Sequence, residues 1–209
     1  ESLAACAARA NDLMALSRER IAMELLALLT LPDPAPTISL MIEQGIFRPV
    51  LPEISDAAPL APLVARESAQ GVSPDPVRRL AALLPAEVKR VEEVGARLKL
   101  SNAQRKRLVT AAKRDEVEDA ANPEALAYRI GIESAADRLL LGKGDATRLV
   151  GWVQPVLPIG GGTIVARGVK AGPEVARILH AVEQQWVAEG FPDAARVETI
   201  LAGALLPQA

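Results

Sequence analysis

Aromatic residues, cysteine and histidine are scarce in this sequence. Of its 209 residues only 2% are aromatic, and Cys6 and His180 are the single cysteine and the single histidine. One cysteine excludes an internal disulfide and a cysteine-rich metal site, and it favours a reducing compartment, by default the cytoplasm. One histidine without a second ligand nearby is typical of a polar surface residue rather than of a metal or catalytic site.

Long apolar runs are missing as well, and so is an overall excess of positive charge. No apolar run reaches the ~18 residues of a membrane span, and the N-terminus lacks the basic-then-apolar pattern of a secretion signal. The 24 basic and 26 acidic side chains leave a net charge of -2, so any contact with nucleic acid would depend on a local patch. The chain begins with Glu1, already inside a helical pattern, and we therefore expect a piece of a longer protein.

What the sequence does have is a set of strong helix formers. Half of it is hydrophobic, with abundant alanine and leucine in place of the β-branched and aromatic residues that sheets prefer. This composition predicts an all-α fold, an elongated array of many helices without a substantial sheet. Capping residues mark the expected helix starts. These starts are Ser17, Thr37, Asp75, Ser101, Asn122, Asp145 and Asp193.

Hydrophobic periodicity and stop signals give the expected extents of several helices. A first helix is expected over Leu3 to Ala15, and Val88, Val91 and Val94 form the apolar stripe of another over Ala86 to Leu98. The helix that Ser101 starts is expected to run to about Glu118, and the one at Asp145 to run through Trp152. The clearest stripe predicts a helix over Pro173 to Glu189, and a last helix over Asp193 to about Ala204 would pack against it.

Two stretches concentrate charge. Ser17 to Glu24 combines a helix cap with Arg18, Arg20 and Glu24 on one face, where an Arg20–Glu24 salt bridge is the structural alternative to a binding role. The second stretch, Arg97 to Arg114, holds seven basic residues and no acidic one. Such a block can neutralise several phosphates, or it can be a solvated face. The balancing charges would then be Asp115, Glu116, Glu118 and Asp119.

Several strings along the chain resemble class II tRNA nucleotidyltransferases, the family of CCA-adding enzymes and bacterial poly(A) polymerases. The strings are Leu-Ser-Arg-Glu-Arg-Ile-x-x-Glu at 16–24, Leu-Met-x-x-x-Gly at 40–45, Val-Leu-Pro at 50–52, Arg-Leu-Ala-Ala-Leu-Leu-Pro at 79–85 and Leu-Lys-Leu-Ser-Asn-Ala-Gln-Arg-Lys-Arg-Leu at 98–108. Near the C-terminus the positions in register are Pro158, Gly161, Gly168, Val169, Gly172, Pro173, Trp186 and Phe191, and the departures are Thr163, Ala171 and Ala176.

The resemblance implies a neck-like segment at 1–53, a body-like segment at 54–154 and a tail-like segment at 155–209. It implies that Arg18, Glu19, Arg20 and Glu24 support a nucleotide pocket, and that RNA is held by basic side chains. The implied RNA-binding residues are Arg97, Lys99, Arg105, Lys106, Arg107, Lys113, Arg114 and Arg148. The expected partners are tRNA or another RNA and the protein's own N-terminal catalytic head, with no membrane partner.

The chemistry of nucleotide transfer is not expected in this chain. Transfer to a 3′ hydroxyl uses metal ions held by carboxylates, and the sequence has neither an Asp-x-Asp pair nor a Gly-Gly followed by Arg-Asp. We therefore expect no catalytic residue, no metal ligand and no cofactor here; Mg²⁺ and ATP or CTP would belong to the full-length parent, a CCA-adding enzyme or a poly(A) polymerase. A helical protein-interaction module with no RNA role is the alternative.

Overall fold

The protein consists of α-helices joined by turns and irregular connections in a computed structural model that describes residues 7–114 and 121–205. Within these ranges there is no strand, which confirms the all-α expectation. The α-helices are α1 (Arg18–Leu29), α2 (Ala35–Glu43), α3 (Leu60–Ala69), α4 (Pro76–Leu83), α5 (Val88–Arg97), α6 (Asn102–Ala111), α7 (Pro123–Ile130), α8 (Ile132–Leu141), α9 (Gly161–Ala166), α10 (Pro173–Ala188) and α11 (Ala194–Ala204). None of the helices in the described ranges is both apolar and long enough to traverse a lipid bilayer.

Side-chain caps start the helices where the sequence predicts them. The Ser17 hydroxyl accepts a hydrogen bond from the Arg20 amide at 3.2 Å, and the Asp75 carboxylate accepts from the amides of Val77 and Arg78. Ser101 and Gln104 form the expected capping box at the start of α6. These contacts satisfy amides that the first helical turn leaves without an intrahelical acceptor, which is why the start signals are readable from local sequence.

Two predicted helix starts were wrong. Helix α2 begins at Ala35 instead of after Thr37, because Pro36 fits the first turn, where no amide partner is needed. Asp145 does not start a long helix: its carboxylate accepts from the Thr147 amide and hydroxyl, and only the 3₁₀ helix Thr147–Leu149 follows. A left-handed Gly151, with φ of 73°, ends any continuation toward Trp152.

Three other extents differ from the prediction. The N-terminal segment contains the 3₁₀ helix Ala10–Ala15, whereas residues 1–6, including Cys6, lie outside the described residues. Helix α6 ends at Ala111 and the chain turns at 112–114, and the predicted continuation to Glu118 enters the undescribed range 115–120. Val88 is 38% exposed, since the buried stripe of α5 begins one turn later at Val91.

The buried apolar side chains form three clusters. The first joins α1, α2, α4, α5 and α6 around fully buried residues such as Leu29, Ile38 and Leu108. The second lies between α7 and α8 and includes Leu63 of α3. The third packs α10 on α11 around Trp186. The first cluster combines helices from both sides of the predicted boundary between residues 53 and 54, and the three-segment division stays a prediction.

An aromatic group connects the second and third clusters. Tyr128 of α7 meets the Trp186 ring edge-on at 5.7 Å, and Phe191 lies 5.5 Å from Tyr128 and 5.9 Å from Trp152. Trp152 is partly buried against the second cluster, which agrees with its interpretation as a packing residue. Four of the five aromatic side chains of the sequence are therefore used in this one contact.

Candidate nucleic-acid interface

The first turn of α1 presents the charged residues predicted to support a nucleotide pocket. Glu19 and Arg20 are exposed and Arg18 is half-buried, with one guanidinium nitrogen shielded from solvent. Arg20 and Glu24 line an apolar groove of about 330 Å³ between α1, α2 and residues 46–51. Among the described residues these two form no ion pair with each other, so the salt bridge given as the structural alternative to a binding role is not formed there. Glu19, in the same turn, is the acidic residue that forms an ion pair, and its partner is Lys99.

The turn between α5 and α6 brings the start of the basic block to this helix. Lys99 adopts a left-handed backbone with φ of 52°, and its ammonium group contacts the Glu19 carboxylate at 2.7 Å. A hydrogen bond from Lys99 lowers the pKa of the Glu19 carboxyl. Two residues earlier, Arg97 pairs with Glu53. Both carboxylates lie in the N-terminal part of the chain, so the basic turn is held directly against that part.

The cations of α6 differ in how far solvent reaches them. Lys106 on α6 and Lys113 in the turn after it are exposed, and neither forms an ion pair within the described residues. Lys113 lies two residues beyond the C-terminal end of α6. Arg105 is half-buried, and its stem lies against α5 at Gly95. Lys106 and Lys113 are thus exposed positive charges of the predicted block without a carboxylate partner among the described residues.

Arg107 has a different environment from its neighbour Lys106. Its guanidinium donates to Asp137 of α8 at 2.8 Å and to the N-cap residue Asp75 at 2.9 Å, and its side chain is only 13% exposed. Burial lowers the pKa of Arg107, but the two carboxylates more than offset this and leave that pKa raised. Its charge is thus neutralised within the fold.

Arg114 and Arg148 also have partners within the protein. Arg114 donates to the carbonyl oxygens of Ala81 and Leu84 at 3.0 Å each, at the C-terminal end of α4 where carbonyl groups lack helical partners. Arg148 contacts Glu124 at 2.7 Å, although the arginine side chain stays 60% exposed. The sequence count of seven uncompensated charges therefore overstated the free positive charge, because it omitted carboxylates that lie far away along the chain. The nearby Asp115, Glu116, Glu118 and Asp119 lie outside the described residues.

A buried ion cluster, missed by sequence analysis, underlies the basic block. Arg78 donates to Glu67 at 2.7 Å and to Asp137 at 2.8 Å, and Arg79 donates to the other oxygen of Glu67 at 2.9 Å. Arg79 also donates to the carbonyl oxygens of Leu29 and Leu31, just after α1. The adjacent arginines Arg78 and Arg79, the second of which opens the Arg79 to Pro85 string, were the available signal, but their partners are distant in sequence. This cluster fixes α3, α4, α6 and α8 relative to one another.

The acidic and histidine side chains of the described ranges are dispersed or paired with cations. They contain no group of three or more histidine, cysteine, aspartate or glutamate side chains positioned to hold a metal ion. His180 is exposed on α10. The described carboxylates that lie close together are bound to arginines, as in the Asp75 and Asp137 contacts to Arg107. The chemistry that this arrangement supports is binding of an anionic partner along exposed cations.

Comparison with protein families identifies the N-terminal segment. Residues 1–58 match the family described as the "probable RNA and SrmB-binding site of polymerase A". This match is consistent with the C-terminal region of a poly(A) polymerase or tRNA nucleotidyltransferase, and it confirms the resemblance over the strings at 16–24, 40–45 and 50–52. It indicates an RNA-binding domain of the polymerase A family, with RNA as its partner. No curated protein matches the chain.

Proposed function

Starting from residues 1–58 as an RNA-binding segment of the polymerase A family, we propose that the chain is the non-catalytic helical arm of a nucleotidyltransferase. The arm holds tRNA or another RNA so that its 3′ end reaches an N-terminal catalytic head. The observation that carries the proposal is the contact of the basic α5–α6 turn with the matched segment, through Lys99–Glu19 and Arg97–Glu53.

RNA recognition by this arm would depend on shape and phosphate contacts. Exposed lysines contribute by neutralising phosphates and releasing counterions, a contribution that weakens steeply as salt rises. Lys106 and Lys113 are the side chains best placed for this, with Lys99 next to α1. A wide, shallow RNA minor groove with its flanking phosphates can be gripped in this way without reading the sequence.

The first turn of α1 has a separate proposed role as a support for the nucleotide pocket of the head. Arg18, Glu19 and Arg20 form the first turn of this helix, which the Ser17 cap fixes, and Glu24 lies one turn further along. Mg²⁺ and ATP or CTP would be bound by the head, and no catalytic step is assigned to the described residues, whose carboxylates do not form a metal-binding group. The cytoplasm is the proposed location.

Binding of tRNA in a gel-shift assay at increasing salt tests the main proposal. The wild-type chain should bind at low salt, and Lys106→Gln with Lys113→Gln should weaken binding about tenfold or more, as expected for the loss of two phosphate contacts. Lys170→Gln, which removes an exposed lysine from the connection between α9 and α10, is the matched control. Absence of salt-sensitive binding by the wild type would reject the RNA-binding arm.

Protein docking is a second candidate, favoured by the apolar groove beside α1. Leu16 is 41% exposed at this groove, and the matched family is described as binding SrmB as well as RNA. If docking is the function, purified SrmB should bind the chain, and Leu16→Glu should abolish that binding. The RNA proposal instead predicts that Leu16→Glu leaves the salt-sensitive tRNA affinity within about twofold, since the groove is apolar.

A further inference from the structure

The ion pair between Lys99 and Glu19 differs from the other contacts of the basic block. The side chain of Lys99 is 61% exposed and that of Glu19 is 54% exposed, so solvent reaches both partners of the 2.7 Å contact. Pairs of this kind contribute little to stability, because water screens the attraction and two flexible side chains must be ordered. An incoming anion can therefore replace the carboxylate at little cost.

Other cations of the block cannot exchange partners so easily. The Glu53 carboxylate that holds Arg97 is only 16% exposed, and Asp137, which holds Arg107, is fully buried. Removing a carboxylate from a buried guanidinium leaves an uncompensated charge in a medium of low dielectric constant. The geometry thus separates one exchangeable pair next to α1 from structural pairs deeper in the fold.

We propose that Glu19 occupies, in the free protein, the place that an RNA phosphate takes on Lys99 in the complex, so that RNA binding opens the Glu19–Lys99 pair. This inference rests on the proposed RNA-binding function. It adds that Glu19 competes with the RNA phosphate for Lys99. A carboxylate and a phosphate both present negatively charged oxygens to the ammonium group, so one replaces the other without rearrangement of the turn. Because the Glu19–Lys99 pair must open before RNA binds, a stronger pair gives a lower affinity for RNA.

The test is a double-mutant cycle on binding of a short RNA hairpin, measured by filter binding at about 50 mM and about 200 mM salt. Glu19→Gln frees Lys99 and should tighten binding about two- to fivefold, the range that an exposed pair allows. Lys99→Gln should weaken binding. In the Lys99→Gln background, the gain from Glu19→Gln should disappear, because there is no longer a cation for the two anions to compete for.

A matched control measures the general effect of removing a negative charge. Glu43 is an exposed carboxylate of the same N-terminal segment, at the end of α2, and it forms no ion pair within the described residues. Glu43→Gln should change affinity by less than about 1.5-fold. Far-ultraviolet circular dichroism melting curves of all variants should superimpose closely, since each substitution is on an exposed side chain.

Two results would overturn the inference while leaving the proposed function in place. One is wild-type affinity of Glu19→Gln, and the other is an equal gain from this substitution with and without Lys99. If the wild-type chain does not bind the hairpin at low salt, the proposed function itself fails, and the inference fails with it.

Discussion

Asp137→Asn is the substitution by which the buried ion cluster can be tested most directly. Asp137 has no exposed surface and accepts from Arg78 and Arg107 at 2.8 Å each. Asparagine keeps the side-chain volume, so no cavity is created, but it removes the charge and turns an amide NH₂ toward a guanidinium. Two buried arginines would then lack part of their counter-charge.

The expected cost is about 3–5 kcal/mol in the free energy of unfolding, the range for removal of one partner from a buried ion pair. For a chain of this size that corresponds to a fall of roughly 6–20 °C in Tm. The cost arises because Arg78 and Arg107 keep their charges when the carboxylate that they share is neutralised.

Urea unfolding followed by far-ultraviolet circular dichroism measures this cost. Glu133→Gln is the control on the same helix: Glu133 lies 3.6 Å from the Arg107 guanidinium, but its side chain is 81% exposed. The control should change the free energy of unfolding by less than about 0.5 kcal/mol. A loss below about 1 kcal/mol for Asp137→Asn, or one equal to that of the control, would show that the cluster does not hold these helices together.

Two further predictions concern the single tyrosine and two glycines. Burial and the hydrogen bond to Glu183 raise the pKa of Tyr128 to about 12. A titration of the ultraviolet absorbance of this single tyrosine should therefore show a midpoint near that pH. Glu183→Gln should lower the midpoint. Because the folded pKa is raised, this contribution to stability is complete below about pH 10 and is lost as the pH rises through about 12. Gly142→Ala should cost about 1–3 kcal/mol in thermal unfolding, since a methyl group there would lie 2.5 Å from the Arg114 carbonyl oxygen. Gly71→Ala, with φ of 65° and open space around it, should cost only about 1 kcal/mol, and equal losses would contradict this account.

The helix starts could be predicted from sequence where the signal is local. Ser17 and Asp75 cap amides two or three residues away, and the Ser101–Gln104 box also spans three residues. Prediction was wrong where two local signals competed. At Thr37 a capping hydroxyl was available, but α2 starts earlier, with Pro36 in its first turn. At Asp145 the carboxylate stabilises a tight turn in place of a long helix.

The candidate interface could be predicted only in outline. The sequence indicates a basic block that runs from the end of α5 through α6, but the partners of these cations are residues far along the chain. Arg107 pairs with Asp137, thirty residues later in the sequence, and Lys99 pairs with Glu19, eighty residues earlier. Adjacent residues of α6 consequently have opposite environments, with Lys106 in solvent and Arg107 among carboxylates. The spacing of apolar residues predicts which face of a helix is buried, but it does not predict that a charged residue such as Arg107 lies on that face.

The buried ion cluster also restricts how this sequence can change over time. Glu67 serves both Arg78 and Arg79, and Asp137 serves both Arg78 and Arg107, so each carboxylate is shared. A single replacement at any of these positions leaves a buried charge without its complement, whereas an apolar replacement of several at once can be tolerated. Related chains should therefore keep these five residues together or lose them together, with few intermediates between the two states.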